Sequence, residues 1–415
     1  PLLVAAAATL VVARVLPPVL RALSRAARSR RGLVPVVATA RASAAAGTAI
    51  PLLTLTVAVG LVVFCGTTLL TVQAGQITAA GSRVGADVRV EGPLTAQDVT
   101  DLRAQPGVTA VAGAAVLGGR TLGAGSGTTV DVVLVDADAL ATIEAAHGRP
   151  DADLRLLTRG ENPSALVSPS IRAAVDLVTP DLMTNSGRIT LDVVGTVGDE
   201  PRVASDSTDV DGRVLVDRAT FDATQEATTD PSTILVDGPG ALAATRALHL
   251  ADRTEVTVMS LDGWLDDWRH APLNRDLIVL LLGTSIALAA YAALALVLMV
   301  AATSRERGRS LSALRTLGLD ARTASTLTFA ELAPLAVAAV VGGTAIGILI
   351  PWLTSGALGL ELVTGGYGPP ALRVGWWPVV GACAVVAVAL VVTVLVEGAV
   401  RRRDRLGEVL RVGER

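Results

Sequence analysis

A chain of 415 residues is long enough for two or three soluble domains, yet 51% of it is apolar, only 18% is charged and the formal net charge is −3. Soluble proteins carry about 25% charged residues, and with ten aromatics (Trp 5, Tyr 2, Phe 3) the apolar bulk here comes from Ala, Val and Leu. Every basic side chain is Arg and none is Lys. That excludes a Walker-type phosphate loop, whose Lys reaches the β/γ-phosphates, and Schiff-base chemistry, which needs a Lys amine.

In chain order, residues 1–20 open with a largely apolar stretch of 13 residues that runs into Arg14 and the pair Pro17-Pro18. Thirteen residues fall short of the roughly 20 that a bilayer crossing needs. The stretch therefore reads as part of a span that begins upstream, with a cleaved signal peptide as the alternative. Segment 21–47 carries six Arg and no acid, and 48–73 is an uncharged run of spanning length. A hydrophilic block at 74–275 follows. Three further apolar runs lie at 277–302, 327–353 and 374–396, joined by loops at 303–326 and 354–373 and closed by a tail at 397–415. Glu331 is the one charge inside those three runs.

Charge partition orients these spans. Residues 76–272 hold 29 acidic residues and 15 Arg, a net of −14, whereas the remainder is net +11. Cytoplasmic loops collect Arg, which places 21–47, 303–326 and 397–415 inside, and the acidic block and 354–373 outside. The spans alternate consistently under that assignment. Trp264, Trp268, Trp352, Trp376 and Trp377 all fall at or just beyond the outer span ends, where indole favours the headgroup zone. The expectation is a multi-pass plasma-membrane protein with its large domain extracytoplasmic and its C-terminus cytoplasmic.

The outer block has α+β patterning, with Gly, Pro and Asp at its turns. ADVRVEG (86–92) alternates as a strand, and 93–105 has helical spacing with Thr95 as N-cap. Strands are read at 108–117 and 128–136. After a looser stretch comes a strand-rich insertion (SALVSPSIRAAV, RITLDVVGTVG, RVLVDRATF), then a strand at 232–238, a helix at 241–251 and a strand at 255–261. The fold class is thus an integral membrane α-helical bundle, four complete spans plus one partial N-terminal span, with an inserted extracytoplasmic α+β domain of β-α-β-β…β-α-β type.

No catalytic constellation stands out. His147, His249 and His270 are far apart, without HExxH spacing, and read as solvated surface histidines. DSTDVDG (206–212) lacks the ligand order of a calcium loop and reads as an exposed acidic turn; Asp262, Asp266 and Asp267 read as solvated faces. Cys65 and Cys383 lie in apolar runs and read as small buried hydrophobes, not as a disulfide or zinc framework. No catalytic residue, metal site, bound cofactor or nucleic-acid partner is expected of this chain.

The loop after 277–302 is the most informative segment. RERGRSLSALRTLG has charges at its start (Arg305, Glu306, Arg307), then Leu311, Leu314, Arg315 and Leu317 at helical spacing, then Gly318 where a helix stop belongs. It reads as a short amphipathic helix lying flat between two spans, its Leu face on the membrane or in a protein groove; an interfacial connector without a partner is the competing account. Farther on, Gly343-x-x-x-Gly347 allows close helix approach, against ordinary membrane glycine usage. Glu331 is read either as an intramembrane coupling element or as an interfacial partner of Arg322 or another loop arginine, with the second preferred.

The run RERGRSLSALRTLGLDARTASTLTFAELAPLAVAAVVGGTAIGILI resembles the permease segment of the FtsX/MacB-like family of ABC transporters. The R-E-R start, the L-x-x-L-R-x-L-G turn, the A-R-x helix start, the early Glu and the Gly-rich span all match that pattern. The tail RRRDRLGEVLRVGE (401–414) looks like the ending of actinobacterial members, and a complete four-span unit behind an apolar stretch is similar to the C-terminal half of the duplicated long form. The resemblance implies that residues 305–318 contact a separate ABC ATPase dimer that binds ATP and Mg. Its motion would pass through the spans to an outer domain acting on lipoprotein, lipid or peptide substrates. A second permease half or a homodimer partner, and membrane lipid, complete the implied partners. The runner-up is an FtsX-like scaffold that regulates cell-wall hydrolases and transports nothing; third comes an unpartnered receptor or membrane-bound enzyme.

Overall fold

The computed structural model describes residues 49–123, 128–149, 153–158, 162–174, 180–184, 187–197, 211–225, 228–315, 321–354, 359–366 and 368–412, the side chains of 49–53, 173–174, 296, 299–335, 394 and 396–412 excepted. The expectations for 1–20 and 21–47, and most of the acidic turn at 206–212, lie outside the described residues.

Helix α1 (Ala49–Val84) leads into strand β1 (Val88–Glu91), helix α2 (Ala96–Arg103) and strands β2 (Ala110–Leu122) and β3 (Thr128–Val135). Helix α3 (Ala137–Ala146), strand β4 (Ser164–Val167), helix α4 (Pro169–Ala174) and strands β5 (Asp181–Thr184), β6 (Gly187–Thr190), β7 (Asp192–Thr196) and β8 (Gly212–Asp217) follow. Next come helix α5 (Arg218–Gln225), strand β9 (Thr233–Asp237), helix α6 (Ala241–Ala247), strand β10 (Thr257–Ser260) and helix α7 (Leu261–His270). The chain ends with α8 (Pro272–Arg315), α9 (Ala321–Thr354), the single turn α10 (Glu361–Thr364) and α11 (Trp376–Val412). It divides into a helical unit (Pro1–Gly75, Pro272–Thr364, Pro369–Arg415) and a sheet unit (Gln76–Ala271, Gly365–Gly368).

Among the described residues, four helices are long and apolar enough to cross a membrane, with qualifying stretches at Thr54–Val84, Pro272–Ala295, Ala336–Thr354 and Trp376–Thr393. Their buried faces are built from small and branched residues: Leu55, Ala58, Val59 and Val63 of α1 meet Ala292 of α8, Ala336 and Ala339 of α9, and Ala382, Val386, Ala389 and Leu390 of α11. Cys65 is buried, but Cys383 is exposed, contrary to its reading as a buried hydrophobe. An apolar run fixes the solvent a segment tolerates, not the face on which each residue falls.

The helices also outrun the sequence boundaries. Helix α1 continues past residue 73 to Val84, and α11 continues past 396 to Val412. Helix α8 is unbroken from Pro272 through Arg315, so no separate short helix begins at residue 305. The physical reason is that a change from apolar to charged side chains does not interrupt i→i−4 hydrogen bonding. Arg, Glu, Leu and Ala are all good helix formers, and only Gly308 within RERGRSLSALR opposes propagation.

In the sheet unit the strands run in the order β10-β1-β9-β2-β3-β8-β4-β7, with β5 on β2 and β6 on β5. The β3–β8 and β4–β7 pairs are parallel and the others antiparallel. All five residues of β9 are buried, as a short continuous apolar run permits. Helix α2 starts at Thr95, whose side chain accepts from the Asp98 N–H while Asp98 caps back to the Thr95 N–H; this is the reciprocal capping box. Val99 and Leu102 of α2, with Ala241 and Ala244 of α6, cover Val88, Val90, Val111, Ile234 and Val236 of the sheet. Leu140, Ala141 and Ile143 of α3 cover Ala112, Ala114, Val133, Val135 and Leu235. Helices α3 and α7 fall where the sequence reading assigned only a looser stretch and a solvated approach.

Candidate functional site

Sequence reasoning singled out two features of the helical unit. The first, Gly343 and Gly347, lies on α9 against α1. A Cβ at Gly347 would stand 2.6 Å from the Gly60 carbonyl oxygen and 2.6 Å from Val63 Cβ; one at Gly343 would stand 2.6 Å from Val59 Cγ1 and 2.8 Å from the Thr56 carbonyl oxygen. Gly60 faces back, with the Gly343 carbonyl oxygen 3.3 Å from its own notional Cβ. Three glycines thus let two backbones approach where any side chain would hold them apart. Helix α11 packs on both α8 and α9. The second feature is the arginine-bearing stretch. Arg305, Glu306, Arg307, Leu311, Leu314 and Arg315 lie on the C-terminal turns of α8, and Glu331 lies in α9, with their side chains outside the described set; Leu317 and Gly318 lie outside the described residues.

The sheet unit contributes a feature that no motif announced. Only residues 85–87 separate α1 from β1, and the C-terminal end of α3 braces this junction. Arg149 donates through Nη2 to the Gly85 carbonyl oxygen (3.1 Å) and through Nε to Glu144 Oε2 (2.8 Å). Glu144 is only 2% exposed, and that guanidinium places an opposite charge against the buried carboxylate. Buried Arg89 donates to Glu91 (2.6 Å) and to the Arg83 carbonyl oxygen (3.3 Å), and Arg83 donates to the Gly365 carbonyl oxygen (3.3 Å). Gly365 in turn sits under Trp268, which stacks on Trp264 with ring centroids 5.1 Å apart. Small residues and cationic forks therefore hold the segment in which helix becomes strand.

His147, the C-cap residue of α3, belongs to the same junction. Its Nε2 lies 2.8 Å from Asp237 Oδ1 and 3.8 Å from Asp87 Oδ1. With a side chain only 17% exposed, it is not the solvated surface histidine its isolation in sequence suggested. The reason is topological: β1 and β9 are neighbours with Val88 opposite Val236, which brings Asp87 and Asp237 face to face beneath the end of α3. His249 and His270 are exposed, beside Asp252 and Asp266 respectively. Farther along the domain, Arg253 grips Asp98 through two nearly parallel hydrogen bonds of 3.0 and 2.8 Å. Burial pushes the Asp98 carboxyl up, but the hydrogen bonds from Arg253 and Thr95 outweigh it and hold the group below the usual carboxylate range.

Residues 282–403 match the family model described as FtsX-like permease C-terminal. No curated protein matches the chain. Among solved structures the chain is similar to the periplasmic region of MacB from Actinobacillus actinomycetemcomitans, at 13% identity and a TM-score of 0.33 over 45% of this chain and 95% of that one. It is also similar to the extracellular domain of the noncanonic ABC-type transporter YknZ from Gram-positive bacteria, at 13% identity and a TM-score of 0.29 over 42% of this chain and 99% of that one. The matched segment takes in most of α8, all of α9 and most of α11, and over it the chain carries an FtsX-like permease C-terminal domain.

Proposed function

We propose that the chain is the permease subunit of an FtsX/MacB-like ABC transporter, inserted through α1, α8, α9 and α11 with its sheet unit outside the membrane. The single observation that carries this reading is the family match over 282–403, which includes the arginine-bearing stretch 305–318. ATP and Mg belong to a partner ATPase dimer. The C-terminal turns of α8 receive the motion of that dimer, and the close α1–α9 contact at Gly60, Gly343 and Gly347 moves as a stiff pair. From α1 the displacement enters β1 through the junction braced by Arg149. The sheet unit then acts on a lipoprotein, lipid or peptide substrate. Stiff elements that shift as units are what such transmission requires.

Affinity purification of the full chain with its ATPase tests the proposal. Arg315→Glu and Leu317→Asp are expected to release the ATPase while leaving the chain in the membrane; an intact complex in both variants overturns the assignment. Substrate-stimulated ATP hydrolysis in the reconstituted complex supports a transporter, and its absence with the complex intact points to a regulatory scaffold.

A further inference from the structure

From the cluster at the α1–β1 junction we infer a binding site for one divalent transition-metal ion of the zinc class, held by Asp87, His147 and Asp237. The inference does not depend on the transporter reading. One imidazole nitrogen and two carboxylates place ligand atoms within 4.8 Å of one another; ligands bound tetrahedrally at roughly 2.0–2.2 Å stand about 3.3–3.6 Å apart, so the Asp87 oxygen must close while the 2.8 Å contact between His147 and Asp237 opens by a few tenths of an ångström. The Asp87 side chain, 41% exposed, has the freedom to make that closure, while Asp237 is buried.

Three observations favour a cation over a simple His–Asp contact. Asp87 and Asp237 continue the β1–β9 register, and like charges directly opposite on neighbouring strands are destabilising. Among the described residues neither carboxylate has an arginine partner, and His147 is the basic side chain beside both. One imidazole against two carboxylates leaves negative charge in either protonation state. Finally, the second oxygen of each carboxylate is already fixed by a donor. The Gly238 N–H donates to Asp87 Oδ2 (2.9 Å) and the Thr109 hydroxyl donates to Asp237 Oδ2 (2.9 Å). This leaves both Oδ1 atoms directed at His147 Nε2, the outer hydrogen bonding by which ligand carboxylates are oriented. Gly238, at φ +121°, leaves no room for a side chain there, since a Cβ would stand 2.5 Å from the Gly107 carbonyl oxygen.

An imidazole in the set favours Zn2+ or Co2+ over Ca2+ and Mg2+, which prefer all-oxygen sites. Three protein ligands leave a fourth position open on the Asp87 side, where water completes the shell. The ion would tie the start of β1, the end of α3 and the end of β9 together. Metal ligands must be deprotonated, so protons compete with the ion for the site.

The test uses the full chain in detergent, stripped with chelator and titrated with ZnCl2, and with CoCl2 for its visible d–d absorption. One equivalent per chain is expected, unaffected by excess Mg2+. Asp87→Asn and His147→Gln each weaken binding at least tenfold, and His249→Gln, at an exposed pair, leaves it unchanged. Asp87→Asn alters a part-exposed side chain and keeps the test valid should His147→Gln fail to fold. No saturable equivalent in the wild type, equal competition by Mg2+, or wild-type binding in Asp87→Asn overturns the site.

Discussion

The contact between α1 and α9 makes Gly347→Ala the sharpest test of how the helical unit is held together. The added Cβ would lie 2.6 Å from both the Gly60 carbonyl oxygen and Val63 Cβ, whereas non-bonded carbon contacts are optimal at about 3.5–4.0 Å. One of the two obstacles is backbone, so no rotamer change relieves it. The helices must part by roughly 1 Å, and overpacking of that kind costs about 1–3 kcal/mol. Replacing a helical glycine returns up to about 1 kcal/mol through propensity, which leaves a net loss of up to about 2 kcal/mol. Gly343→Ala meets a rotatable Val59 methyl at 2.6 Å and the Thr56 carbonyl oxygen at 2.8 Å, and is expected to cost less. The assay is thermal denaturation of the detergent-solubilised full chain, read by loss of the monodisperse peak. Gly283→Ala and Gly381→Ala serve as controls, because a Cβ at either meets nothing within 4 Å. The expected order of midpoints is Gly283→Ala and Gly381→Ala at or above wild type, then Gly343→Ala, then Gly347→Ala. A Gly347→Ala chain that melts with its controls would refute the close-approach account.

Arg253→Met is expected to cost about 1–2 kcal/mol at neutral pH, the worth of hydrogen bonds to a charged group discounted for a half-exposed arginine. Because the Asp98 carboxyl is held below its ordinary value, its contribution is fully present above about pH 4 and is lost as pH falls through the folded value. The wild-type advantage over Arg253→Met should therefore shrink between neutral and acid unfolding curves. Arg149→Met removes the guanidinium from the buried Glu144 carboxylate and is expected to cost about 2–3 kcal/mol, while the double variant Glu144→Leu/Arg149→Met recovers most of it; a double-mutant cycle on the denaturation midpoint measures the coupling. In a Cys65→Ser/Cys383→Ser background, an impermeant thiol reagent applied outside intact cells should label Asp252→Cys, whose side chain is 76% exposed, but not Ser310→Cys. Labelling of Ser310→Cys from outside would reverse the proposed orientation.

The apolar helices and the beginning and end of the sheet unit were legible because their signals are local. Uncharged runs of spanning length report themselves, as do the Thr95 cap and the alternating β1 and β10 segments. Helix α3 was not, because its buried face is partly alanine (Ala137, Ala141), which contrasts little with its surroundings. The long extension of α8 through Arg315 was missed for a different reason: charge composition marks where solvent changes, not where hydrogen bonding stops. Of the site, Gly343 and Gly347 could be nominated from spacing, but their partner Gly60 lies 283 residues before Gly343 and no pattern links them. His147, Asp87 and Asp237 were invisible as a group, since only the β1–β9 register brings them together.

That register has a consequence for how the protein is made. Val88 pairs with Val236 on one side and Ser260 on the other, so the first strand of the sheet unit must wait for its last two. At about 5–20 residues per second, the intervening stretch takes on the order of 10–30 s to be translated. Throughout that interval β1 is a naked edge, able to recruit any extended peptide nearby. Nascent chains halted before Thr233 would keep that edge unpaired.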